Sequence, residues 1–198
     1  MLGCLNDAAK LNSLAIFTYQ KEGEIGLLKP LVGIIMGSDS DLPVMRESAD
    51  ILDELGIPWE IEISSAHRAP DKTADYARQA HLRGLAVIIA GAGSAAHLAG
   101  VIAGHTPLPV IGVPIASGSL NGVDALYATV QMPPGIPVAT VAINGAKNAG
   151  ILAAQIIGVS QTAARDIILA YKEKLSRQVE EKSTRLQELG VNEYLKQK

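Results

Sequence analysis

The chain has 198 residues, 48% of them hydrophobic, yet only one Trp and one Phe, so its core must be built from Ala, Val, Ile and Leu. Seventeen basic against 20 acidic residues leave a net charge of −3, which speaks against the clustered Lys and Arg of a nucleic-acid footprint. The single cysteine, Cys4, excludes an intrachain disulfide and a multi-cysteine metal site.

Residues 1–29 carry little pattern beyond a short helix expected over Asn6–Phe17, with Gly23 and Gly26 loosening the chain before Pro30. They read as an extension. No basic segment precedes the apolar patch Leu14-Ala15-Ile16-Phe17, so no signal sequence is expected. The strongest apolar run, Val87–Ala92, is far shorter than the roughly 20 residues of a membrane span. A soluble, cytoplasmic protein with no membrane contact is the expectation.

Five strand-then-helix units follow over residues 30–158. Leu31–Met36 predicts a buried strand, and the next helix would bury Val44, Ser48, Ile51, Leu52 and Leu55 before stopping at Gly56. Pro58–Ile63 predicts a second strand whose Glu/Ile alternation suggests a wetter face near a sheet edge. A helix over Asp71–Arg83 ends at Gly84. The third strand is expected at Leu85–Ala90, followed by a Gly-rich loop from Gly91 running into a helix that ends near Gly104. Pro109–Val113, ended by Pro114, predicts the fourth strand. Ser117, Ser119 and Asn121 give turn and capping signals for a helix over Gly122–Val130. Pro137–Ile143 is the fifth strand and Ala146–Ile157 the helix after it.

Such alternation with short connections predicts an α/β fold with a parallel, doubly wound sheet. Residues 159–198 differ. Ile168, Tyr171, Leu175, Val179 and Leu186 form an apolar stripe among charged residues, which reads as a helical arm. A helix cannot bury its stripe alone, so the arm packs on its own domain or on another subunit, and its length and terminal position favour oligomer contacts.

Right-handed crossovers would bring the loops at 37–41, 64–70 and 91–97 to one edge of the sheet, and these hold most of the suggestive chemistry. Ser38 and Ser40 suit a phosphate, and Asp41 suits ribose hydroxyls. The plain alternative is that Ser40 or Asp41 caps the next helix. Arg68 offers a planar fork of donors for phosphate, and His67 beside it is a candidate acid/base. His97 is a second candidate. The segment Gly91-Ala92-Gly93-Ser94-Ala95-Ala96 lets the backbone approach a flat ligand, but it is no dinucleotide fingerprint, because Ala96 stands at the third glycine. There is no P-loop, zinc motif or nucleophile elbow.

Ordered motifs then carry a resemblance. Gly33–Asp41, Ser65-Ala66-His67-Arg68, Ile89–Gly93 with Ala95-Ala96-His97-Leu98, Pro107–Pro114, Asn121–Asp124, Val130–Pro133 and Ala146–Gly150 are similar to the 5-(carboxyamino)imidazole ribonucleotide mutase family of de novo purine synthesis. The resemblance covers about residues 31–158 and, more loosely, the arm. It implies a flavodoxin-like three-layer sandwich with a central parallel sheet and a C-terminal helical arm, assembled as a homo-octamer. It implies an isomerase acting on a small ribonucleotide, moving a carboxylate from the exocyclic nitrogen of an aminoimidazole ribonucleotide to ring carbon C4, with no metal, ATP or redox cofactor.

By motif, the resemblance assigns Ser38, Asp41 and Arg68 to the ribose phosphate, Ser40 and Ser65 to the phosphate, and His67 to proton transfer. The 91–97 loop would enclose the base and the migrating carbon dioxide, and Ala66, Gly93, Ala95, Ala96, His97 and Leu98 would contact the substrate. Two positions depart from the family pattern: Ser94 where many relatives have glycine, and Ala99 where they have proline. A sister reaction, direct carboxylation with free carbon dioxide, and a non-catalytic nucleotide-binding module are the competing readings.

Overall fold

The computed structural model describes residue 29 and residues 31–197. The helix expected over Asn6–Phe17, and the extension apart from Lys29, lie outside the described residues.

In chain order the elements are β1 (Val32–Met36), α1 (Leu42–Glu54), β2 (Trp59–Ile63), α2 (Pro70–Arg83), β3 (Val87–Gly93), α3 (Leu98–His105), β4 (Val110–Ile115), α4 (Val123–Val130), β5 (Ala139–Thr140), α5 (Ala146–Ser160) and α6 (Thr162–Lys196). The strands form one sheet in the order β2-β1-β3-β4-β5, with every pairing parallel. This is the flavodoxin-like order, in which the chain reverses direction between β1 and β3.

Side chains alternate across the sheet, so its two faces feed two cores. Val32, Ile34, Met36, Val87, Ile89, Ile111 and Val113 pack under α1, α5 and the start of α6. Ile35, Ile88, Ala90 and Val110 pack under α2 and α3. All are almost wholly buried, which is worth roughly 1.5–3 kcal/mol for each Val, Ile and Met among them. The central strands therefore read as unbroken apolar runs. β2, at the edge, is only half buried, in line with its Glu/Ile alternation.

The α1 face buries Ser48, Ile51, Leu52 and Leu55 as expected and differs only in its first turn. Met45 is fully buried and Val44 only partly. The partner decides this: Gly91 on β3 has no side chain, and the flexible Met45 thioether fills the space its Cβ would take.

Three strand boundaries differ from expectation. β3 runs on through Gly91-Ala92-Gly93, because Gly91 pairs with Met36 and with Val113 and Gly93 pairs with Ile115. The expected glycine loop therefore begins only at Ser94. β4 continues through Pro114, whose carbonyl accepts from the Asn144 N–H. Its proline nitrogen faces the same side, where β5 has already ended after pairing with Ile111 and Gly112, so no ladder donor is missed. β5 is two residues long rather than seven. Helix ends agree better: α2 stops at Gly84, which takes a left-handed conformation (φ 98°).

The C-terminal arm divides in two. Ala164, Ile168 and Tyr171 join the first core, and Lys174 pairs with Glu54 of α1 at 2.7 Å. Leu175, Val179 and Leu186 are exposed. At Gly190 (φ 70°, ψ 161°) the helix breaks. Arg185 Nη2 then reaches Gln197 Oε1 at 2.7 Å, two positions that a straight helix would hold about 18 Å apart. No described helix is long and apolar enough to cross a membrane.

Candidate functional site

A cavity of about 430 Å³ opens at the carboxyl ends of β1, β2, β3 and β4, at the point where the strand order reverses. Four loops contribute to its wall, and the sheet sets their sequence across it.

From β1 comes Gly37-Ser38-Asp39-Ser40-Asp41. Asp39–Asp41 form a single 3-10 turn, and Ser38, in extended conformation, caps it. The caps expected of Ser40 or Asp41 do not occur: at the N-terminus of α1, Asp41 makes no side-chain cap bond. The hydroxyls form a short relay. Ser40 Oγ donates to Ser38 Oγ at 3.0 Å, and Ser38 Oγ donates to Asp39 Oδ1 at 3.1 Å. Asp39 is not part of the cavity wall, whereas Ser38, Ser40 and Asp41 are.

Asp41 is buried, at 8% exposure. Burial pushes its carboxyl pKa up and the neighbouring Asp39 charge adds to this, while the Ser38 backbone N–H and the Ser40 hydroxyl pull it down. A carboxylate held in so dry a place gains from any ligand that brings it hydroxyl donors.

The loop after β2 is anchored at Ser64, whose hydroxyl is 2.8 Å from that of Thr73 in α2. Ser65 Oγ accepts from the Arg68 backbone N–H at 3.3 Å. Arg68 Nη2 donates to the Gly37 carbonyl at 3.2 Å, which draws the guanidinium across to the β1 loop. Among the described residues no carboxylate pairs with Arg68, so its charge is available to an anion.

His67 and His97 meet. His67 Nε2 lies 2.8 Å from His97 Nδ1, with the rings 5.0 Å apart between centroids and at 84°. His97 sits at the position just before α3 rather than inside the helix. Of the other segment residues, Gly93, Ala95 and Leu98 line the cavity and Ala96 is buried beneath it, at 1% exposure. His97 reaches the cavity through its contact with His67.

Ala92 and Ser94 of the 91–97 loop also line the cavity, and two further wall residues, Gly37 and Ser117, were not among those assigned from the motifs. Ser117 makes no cap bond. Its place directly after β4 was the signal that could have revealed it, since ligands in open parallel sheets gather at strand carboxyl ends.

A family model described as AIR carboxylase matches residues 31–178. The chain belongs to the AIR carboxylase family. It is 59% identical over 169 residues to a Thermotoga maritima protein named N5-carboxyaminoimidazole ribonucleotide mutase, a match covering 85% of this chain and 99% of that protein. It is 53% identical over 165 residues to the Schizosaccharomyces pombe phosphoribosylaminoimidazole carboxylase, covering 83% of this chain but 30% of that one. The crystal structure of Treponema denticola PurE superposes with a TM-score of 0.71 at 31% identity, covering 79% of this chain and 98% of that one.

Proposed function

We propose that this member of the family is an isomerase. It converts 5-carboxyamino-1-(5-phospho-D-ribosyl)imidazole to 5-amino-1-(5-phospho-D-ribosyl)imidazole-4-carboxylate in de novo purine (IMP) biosynthesis. The observation that carries this reading is the His67–His97 pair at the switch point of the sheet, beside a buried Asp41 and an Arg68 that no carboxylate among the described residues pairs. The 59% identity to a relative named as the mutase, over 99% of that protein, supports this reading.

In this reading Arg68, Ser38, Ser40 and Ser65 hold the phosphate. Arg68 brings charge, and the serine hydroxyls turn outward from their relay to donate. Asp41 accepts from the ribose diol. Its carboxylate would repel a phosphate but suits neutral hydroxyls, and the bonds it gains offset part of its burial cost.

His67 then moves two protons. Protonated, it delivers one to the exocyclic nitrogen as the N–C bond breaks, releasing the amine and carbon dioxide. The electron-rich C4 attacks the carbon dioxide, forming the new C–C bond. Neutral His67 removes the C4 proton as the ring recovers its aromaticity. One proton is delivered and one recovered, so the sequence balances without an oxidant or a nucleoside triphosphate. His97 Nδ1 stabilises the protonated His67 by accepting from its Nε2. Ala66, Gly93, Ala95, Ala96 and Leu98 form the small apolar enclosure that keeps carbon dioxide in place between the two bond changes.

Residues 30–158 are the catalytic unit in this reading and residues 159–198 the arm of a homo-octamer. The exposed Leu175, Val179 and Leu186 are its contacts between copies, and a mass measurement in solution tests the assembly. A cytoplasmic setting fits a phosphorylated metabolite.

Substrate labelled in its carboxylate, turned over in excess unlabelled bicarbonate, tests the reaction. Label retained in the product supports the mutase. Label lost to the pool supports the carboxylase using free carbon dioxide.

A further inference from the structure

The β4 side of the cavity contains a feature the reaction above does not use. Ser94 Oγ, just after β3, lies 3.1 Å from Ser117 Oγ, just after β4. Both line the cavity.

The backbone bears a cost to place them there. Ser94 has φ 50°, a left-handed conformation that an L side chain adopts at a penalty. Gly93 must be glycine, because its Cβ would run into the Ser117 hydroxyl. Strain at a ligand-facing position is a reason to look for a ligand contact.

A pair of hydroxyls satisfies only half of its donors. One donates to the other, and the acceptor keeps its own hydrogen. No further hydrogen bond involves either side chain among the described residues, so one O–H remains to be given away. The wall around it is neutral: Ala92, Gly93, Ala95 and Leu98. The ionisable wall residues, Asp41, His67 and Arg68, belong to the β1 and β2 loops. With the order β2-β1-β3-β4, a ribonucleotide whose phosphate rests on Arg68 extends its base past β3, towards the hydroxyl pair. The base's anionic substituent there is its carboxylate, and a spare donor in a neutral wall suits it.

We propose that the Ser94–Ser117 pair binds the carboxylate of the ribonucleotide, which makes Ser94 a specificity-determining residue that separates the carboxylated nucleotide from the bare amine. This rests on the ribonucleotide reading above. In this chain Ser94 fixes the Ser117 hydroxyl and leaves the pair's remaining hydrogen for the ligand.

Two ligands differing only in the carboxylate test it: 5-amino-1-(5-phospho-D-ribosyl)imidazole-4-carboxylate and 5-amino-1-(5-phospho-D-ribosyl)imidazole. Calorimetric titration of each into wild type, Ser94→Ala, Ser94→Gly and Ser117→Ala gives the ratio of affinities. Losing a hydrogen bond to a charged group should weaken the carboxylated ligand about tenfold, with the bare amine unchanged within twofold. Ser94→Gly serves as the control for folding, since it relieves the left-handed strain while removing the hydroxyl. Equal weakening of both ligands would assign the pair a purely structural role and overturn the proposal, as would wild-type selectivity in Ser94→Gly. Wild-type protein that binds neither ribonucleotide sinks the functional reading and this inference with it. Wild type that binds both, with variants of unaltered selectivity, overturns the inference alone.

Discussion

His67 Nε2 and His97 Nδ1 stand 2.8 Å apart although 30 residues separate them in the chain. The two facing nitrogens share one proton, which links the ring tautomers: when His67 donates through Nε2, His97 accepts at Nδ1 and carries its own hydrogen on Nε2. Replacing His67 by Asn should lower kcat by about 10²–10⁴-fold, with product affinity kept within a few-fold. His97→Ala removes the acceptor but not the acid, so a smaller loss in kcat is expected. Steady-state kinetics paired with calorimetric titration separates these effects. Parallel loss of binding and turnover would mean that the histidines hold the ligand rather than move protons.

Arg68 presents a planar guanidinium, tied by one N–H to the Gly37 carbonyl. Lysine keeps the charge but loses the fork and the tether. Arg68→Lys is expected to raise KM about tenfold, the effect of one charge-assisted hydrogen bond, and to change kcat little. An unchanged KM would remove Arg68 from the phosphate site.

Asp41 links the site to stability. Burial raises its pKa in the folded protein above that of the unfolded chain. The folded state therefore binds more protons across the interval between those two values, and stability falls as pH rises through it. Below the unfolded value the penalty is absent, and above the folded value it is complete. Asp41→Asn should accordingly unfold at higher temperature than wild type at pH 7, and the gap should close as pH falls through the carboxylate range. The same variant should bind the ribonucleotide more weakly. Thermal unfolding at several pH values checks the first point and titration the second.

The cradle rides on the contact between α1 and α5. A Cβ on Gly150 of α5 would meet Ile51 and the Ser48 carbonyl of α1, and Ser48 Oγ donates to the Ala146 carbonyl at 2.6 Å. Gly150→Ala should cost about 1–3 kcal/mol by overpacking. Urea unfolding would show this as a lower midpoint at unchanged slope. A neutral result would mean that the two helices separate without resistance.

The βα alternation, the helix stops at Gly56 and Gly84 and the edge character of β2 were all legible along the chain, because each depends on neighbours a few residues away. Strand lengths were less so. Gly91-Ala92-Gly93 looks like loop until Met36 and Val113 are found beside Gly91. Pro114 looks like a terminator until β5 is found to end before reaching it. Val44 and Met45 compete for the core within α1, and the hole above Gly91 decides for Met45.

The candidate site divides along the same line. Ser38, Asp41, His67 and Arg68 could be picked out by residue type and by position at strand ends, since parallel βα units direct those ends to one edge. The sequence alone therefore determined the fold class, the edge where the polar loops gather and the candidate residues on it. Only the tertiary structure decided which of them touch. The His67–His97 pair, the Arg68 tether to Gly37 and the Ser94–Ser117 bond each span 23 residues or more. Such contacts are set by strand order and register, which bring distant loops together at ångström precision and leave no periodic trace in the chain.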